Sequence, residues 1–174
     1  MLTNVGYAGG QTIKPTYYKL GDHTECVDIY YDPTITTYEN IIKLFWKSHD
    51  PTIRTSSQYR SIILSHNSAQ AAFAADFLQA QKKEKQKEVN TKIDNFSTFY
   101  QAEDKHQKNQ LRRHPALLPC LGWEKSLASS YVATRLNGYL GGHTAMASFN
   151  KEWERLGLSK EIAAYVRKVI IKRS

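Results

Sequence analysis

Glu25 is the residue of this 174-residue chain with the clearest chemical use. It opens an alternating stretch, Glu25, Val27, Ile29 and Tyr31, whose side chains share one face of a strand. A carboxyl on an apolar strand face is desolvated, which raises its pKa and suits a general acid. Tyr7, Tyr17 and Tyr18 stand near it in sequence, and Tyr59 follows further on beside Arg60. Phenol hydroxyls next to a protonated carboxyl form a donor cluster for a neutral, strongly dipolar oxygen. The plainer alternative puts Glu25 at the frayed start of its strand and makes the tyrosines core or rim aromatics. Residue type and spacing leave both open.

Other constellations are absent. There is no P-loop, no Gly-x-Ser-x-Gly elbow, and Gly6-x-x-Gly9-Gly10 is not a dinucleotide fingerprint. His23, His49, His66, His106, His114 and His143 lack metal-ligand spacing, and Cys26 and Cys120 form no Cys-x-x-Cys pair. No metal and no bound cofactor is therefore expected. Asn95-Phe96-Ser97 matches a glycosylation site only formally.

These residues need a scaffold, and 174 residues suffice for a single domain over 1–174 with its own core. Two cysteines cannot staple a fold and suit a reducing, cytoplasmic compartment. The net charge is +8. Such a balance can serve nucleic acid or anionic lipid, but interleaved Lys and Glu at 82–88 read as a solvated helix face. No apolar run is long enough for a membrane span. The expectation is a monomer that binds neither nucleic acid nor membrane.

The scaffold reads as α+β: a mixed or antiparallel sheet with packed helices. Residues 24–31 predict a strand ended by Asp32-Pro33. Thr36 with Glu39 reads as a capping box. It predicts a helix to about residue 47, with Tyr38, Ile41, Ile42 and Phe45 as its stripe and Leu44 at the edge. Residues 59–64 predict a second strand. Residues 68–90 predict a long helix burying Phe73, Phe77 and Ala80, and 91–100 a further strand. A polar helix is expected over 101–113. A short one over 127–136 stops before Asn137-Gly138, and another over 152–156 is closed by Gly157. Ser159 caps a last helix with Ile162, Tyr165, Val166, Val169 and Ile170 on one face.

Val5-Gly6-Tyr7-Ala8-Gly9-Gly10, Lys14-Pro15-Thr16-Tyr17 and Gly21-Asp22-His23-Thr24-Glu25 occur in order. Leu44-Phe45-Trp46, His49-Asp50-Pro51-Thr52 and Gln58-Tyr59-Arg60-Ser61 follow. The run from Phe99 to Gln107 and the run from Ala133 to Gly142 complete the set. Over nearly the whole chain these motifs resemble the A-type methionine sulfoxide reductases, in a branch without the Cys-bearing Gly-rich tail. The resemblance implies that family's fold, with its first strand incomplete here. It also implies reduction of methionine S-sulfoxide, free or in proteins. A cysteine thiolate attacks the sulfoxide sulfur, the oxygen is protonated, methionine is released and a sulfenic acid remains. Thioredoxin or a small thiol then reduces that acid. By the same resemblance Glu25 is the general acid, Tyr17 and Tyr59 hold the sulfoxide oxygen, and Tyr7 and His106 contact substrate.

The family's nucleophile belongs to a Gly-Cys-Phe-Trp motif upstream of Val-Gly-Tyr, and that motif is absent from these residues. Cys26 follows Glu25 on the strand and is expected to face away from it, as a small buried hydrophobe. Cys120 is the weaker candidate for a recycling thiol. Lys105 and Asn109 stand where the better-known members have Tyr, and the Asp preceding their Gly-Thr-Gln-Tyr-Arg-Ser stretch has no counterpart. The expectation is a chain without turnover of its own, as from an incomplete gene model or a splice form, with any targeting segment upstream of Met1. The rival is a non-catalytic module that binds oxidised-methionine peptides.

Overall fold

The computed structural model describes residues 1–85, 87–121 and 126–173; the side chain of Cys120 lies outside this set. The chain divides into two compact units, Val5–Ala102 and Met1–Asn4 with Glu103–Ser174. Among the described residues no helix is long and apolar enough to cross a membrane.

In the first unit, strands β1 (Leu2–Ala8), β2 (Thr24–Tyr30) and β5 (Phe99–Gln101) form a sheet in the order β2-β1-β5. β1 and β5 are antiparallel, with Gly6 opposite Gln101 and Tyr7 opposite Tyr100. A Cβ on Gly6 would stand 2.4 Å from the Tyr100 carbonyl oxygen, so only glycine fits this approach. β3 (Ile62–Ser65) and β4 (Lys92–Asn95) form a separate parallel pair. Parallel neighbours need a crossover, here the helix α2 (Ser68–Lys85). With α1 (Tyr38–Lys47) it buries a core of Ile42, Trp46, Ile63, Ala74 and Val89.

Several expectations shift. Thr37, not Thr36, caps α1, accepting from the Asn40 amide, and Glu39 instead pairs with Lys43. Leu44 is exposed, and Trp46 takes its place in the stripe. Ala80 is exposed, and Ala74 is the buried alanine of α2, which ends at Lys85. The run 91–100 splits at Phe96-Ser97-Thr98 into β4 and β5, in different sheets. The largest correction concerns β2. Val27 is 54% exposed and Glu25 is exposed, because β2 is an edge strand and this face borders a cavity rather than packed side chains.

In the second unit, α3 (Asn109–Arg112), α4 (Tyr131–Leu140), α5 (Met146–Glu152) and α6 (Lys160–Arg173) pack around Leu111, Leu136, Tyr139, Leu140, Phe149 and Val166. The polar stretch 101–113 is a 3-10 turn (Asp104–His106) followed by α3, not one helix. α4 runs through Asn137-Gly138 rather than stopping before it. The Asn137 carboxamide oxygen accepts the Gln110 and Leu111 amides at the start of α3, a use that the helical position serves. The expected 152–156 helix lies earlier, as α5, and residues 153–157 form its turn, with Gly157 at φ +68°. Ser159 caps α6 as expected, accepting from Ile162.

Lys108 is the unusual charge of this unit. It is buried at φ +52°, with its ammonium on the carbonyls of Thr3 and Ala128. Burial pushes its pKa down to about 8. The unfolded chain then binds the extra proton between pH 8 and pH 10.5, so stability rises with pH across that window. The one-proton slope, about 1.4 kcal/mol per pH unit, is the ceiling. In urea unfolding, the difference between wild type and Lys108→Met is expected to change in favour of wild type from pH 8 to 10.5. A flat difference would refute it.

Candidate active site

Asp22 organises the loop that precedes Glu25. Its carboxylate accepts the Gln11 amide (2.8 Å), the Thr12 amide (3.0 Å) and the Thr12 hydroxyl (2.8 Å). These bonds to the charged form hold the carboxyl well below the usual range. His23, buried next, accepts the Gly10 amide at Nδ1 (3.2 Å) and so donates from Nε2 to the Thr12 carbonyl (2.8 Å). One side of the site is thereby fixed by backbone as much as by side chains.

Arg60 joins this loop to the 3-10 turn Ser57–Tyr59. Its Nε donates to the Thr24 hydroxyl (2.5 Å), and its Nη2 donates to the Gly9 and Asp22 carbonyls (2.8 Å each). The Thr24 hydroxyl in turn donates to the Ser57 carbonyl (2.9 Å). Glu25 and Tyr59 are thus carried on two segments tied at adjacent residues. Both border one mostly apolar cavity of about 550 Å³, with Val27, Ile29, Phe45 and Ile62 among its walls.

The carboxyl of Glu25 is exposed and accepts 2.7 Å from the Gln58 amide nitrogen, so the burial expected for it is not found. Tyr59 is 59% exposed at the cavity rim. Tyr17 is 38% exposed, in edge contact with Tyr18, and is not among the residues lining that cavity. Tyr7 is only 2% exposed and packs with Leu20 and Ala102. His106 belongs to the other unit, 3.8 Å from Glu103. Cys26, expected to face away from the acid, also borders the cavity, since β2 lies open along one edge. Burial pushes its thiol up to about 11, against smaller opposing effects of the Ala8 backbone and Arg60. A thiol so placed stays protonated at neutral pH and is a poor nucleophile. Cys120, the other thiol considered, has its side chain outside the described set.

A family model described as peptide methionine sulfoxide reductase matches residues 1–121. The chain belongs to the peptide methionine sulfoxide reductase family. A second model, the helical domain of selenoprotein methionine sulfoxide reductase A, matches residues 123–171. A peptide methionine sulfoxide reductase of Drosophila melanogaster is 42% identical over 161 residues, covering 90% of this chain and 65% of the relative. Peptide methionine sulfoxide reductase A5 of Oryza sativa is 40% identical over 146 residues, covering 79% of this chain and 58% of its own length. The chain thus spans about three fifths of these reductases. The reduced form of Saccharomyces cerevisiae Mxr1 superposes with a TM-score of 0.59 at 26% identity, over 65% of this chain and 71% of that one. The α+β class read from the sequence is that of the reductase fold.

Within the reductase family's motifs, the residues missed as individuals are Gln58 and Arg60. Both stand in the stretch Gln58-Tyr59-Arg60-Ser61, which carried the resemblance. A motif marks such positions, but only the fold shows that one holds the Glu25 carboxyl and the other the start of its strand.

Proposed function

We propose that this chain supplies the acid and an oxygen-orienting phenol of a peptide-methionine (S)-S-oxide reductase. The observation that carries the reading is the shared cavity, with Glu25 and Tyr59 bordering one apolar space. Methionine sulfoxide has matching parts, an apolar thioether stem and a strongly dipolar S–O group. Glu25 donates the proton that the sulfoxide oxygen needs before the bond to sulfur can break, and Tyr59 orients that oxygen. Tyr17 is a second phenol for the sulfoxide oxygen in this reading, whereas Tyr7, buried against Leu20 and Ala102, and His106, in the other unit, are given no contact in it. The two electrons come from a thiolate, which becomes a sulfenic acid as methionine leaves. A second thiol, from thioredoxin or a small molecule, condenses with the sulfenic acid to a disulfide and water. Cys26 does not serve as that first thiolate, for its thiol is held protonated. The Gly-Cys-Phe-Trp motif is not among these residues.

The held thiol favours a second reading, a module that binds oxidised-methionine peptides without reducing them. One experiment addresses both. The chain is titrated with a peptide carrying methionine S-sulfoxide, then R-sulfoxide, with dithiothreitol present and product followed. The expected result is S-selective binding without turnover, weakened at least about tenfold in Glu25→Ala, the loss of one hydrogen bond to a charged or acidic group. Turnover that persisted in Cys26→Ser would remove the second reading. Equal affinity for both epimers, or binding unmoved by Glu25→Ala, would sink the site itself.

A further inference from the structure

We infer that Gln58 is the positioning residue for Glu25: its amide holds Oε1 and leaves Oε2 to carry the proton that passes to a sulfoxide oxygen. The inference rests on Glu25 being the acid. An exposed glutamate on an edge strand would otherwise spread over many rotamers, and fixing such a side chain costs conformational entropy. Here the 2.7 Å bond from the Gln58 Nε2 fixes it. The pairing is braced on both sides, by the Thr24 hydroxyl on the Ser57 carbonyl and by the Arg60 guanidinium on Thr24. Residues 24–25 and 57–58 are therefore held side by side.

The chemistry of the donor decides its role. Only the nitrogen end of a carboxamide donates, so Oε1 accepts in both protonation states and the hydroxyl proton resides on Oε2. A cationic partner would instead hold the carboxyl ionised. The molecule contains that contrast. Glu152 is gripped by Arg135 at 2.7 Å and by the Tyr139 hydroxyl at 2.5 Å, and these contacts hold its pKa down against burial. Glu152 thus has a cationic partner, whereas the partner of Glu25 is a neutral amide. When Oε2 gives up its proton, the bond at Oε1 becomes charge-assisted and stronger. The contact thus favours the transferred state over the starting one.

The test uses the 174-residue chain with labelled glutamate carboxyl carbon, a methionine S-sulfoxide peptide, and two variants. Gln58→Met keeps the side-chain length and removes the donor. Gln58→Lys keeps a donor and adds a fixed charge. In Gln58→Met the Glu25 carboxyl signal is expected to move and sulfoxide affinity to fall about tenfold, with the unfolding midpoint unchanged. In Gln58→Lys, sulfoxide affinity is expected to fall at least as far as in Gln58→Met, as a nearby cation favours the carboxylate. A Glu25 signal and affinity unmoved in Gln58→Met would overturn the inference. So would a Gln58→Lys affinity matching wild type. If wild type binds no sulfoxide while the Glu25 signal still responds to Gln58→Met, the contact stands and the acid assignment fails, taking the proton-positioning role with it.

Discussion

Arg60→Ala is expected to abolish sulfoxide binding and to lower the unfolding free energy by about 4 kcal/mol, the scale of losing several hydrogen bonds to a charged, half-buried donor. Three acceptors lose their partner at once: the Thr24 hydroxyl and the carbonyls of Gly9 and Asp22. Their loss frees the loop that Asp22 and His23 organise from the turn that carries Gln58 and Tyr59. Binding should vanish even though Arg60 need not touch the sulfoxide. Arg60→Lys is not expected to rescue, because one ammonium cannot span the directions that the guanidinium fork serves. Urea unfolding together with sulfoxide titration checks this. A loss below about 1 kcal/mol with binding intact would show that the clamp is dispensable.

Phe149→Ala is expected to cost about 4 kcal/mol, within the usual range for removing a fully buried aromatic ring. Its ring is wholly buried, meets Tyr139 edge-on with centroids 5.0 Å apart, and carries the Arg167 guanidinium 5.6 Å from its centroid. Truncation leaves a cavity beneath Tyr139, whose hydroxyl is bound to Glu152, so the neighbours cannot simply collapse. Hydrogen exchange should show lost protection across α4, α5 and α6. A destabilisation under about 1 kcal/mol would mean that the helices repack around the gap.

The strand from Thr24 and the Ser159-capped final helix follow from alternation and capping. What was not legible depends on residues distant in the chain. Glu25 sits on an apolar stripe in sequence, but burial requires a covering layer, and stripe periodicity does not say whether one is present. Asn137-Gly138 is a stop signal in isolation; the amides of Gln110 and Leu111, 27 and 26 residues away, give Asn137 a reason to remain helical. Thr91 to Tyr100 reads as one extended run, and nothing local assigns its halves to different sheets. At the site, Glu25 and Tyr59 border one cavity. The partner of Glu25 lies 33 residues away and carries no charge to mark it.

The open edge of β2 has a colloidal consequence. An uncovered strand edge is a template for pairing with another copy, and charges along it keep copies apart. β3 reads Ile-Ile-Leu-Ser and offers no such charge, whereas β2 has Glu25 and Asp28. Glu25 therefore places a charge on this strand as well as being the candidate acid. Substituting Glu25 removes that charge and the candidate acid together, so loss of function in a Glu25 variant is interpretable only alongside its sedimentation over a range of concentrations.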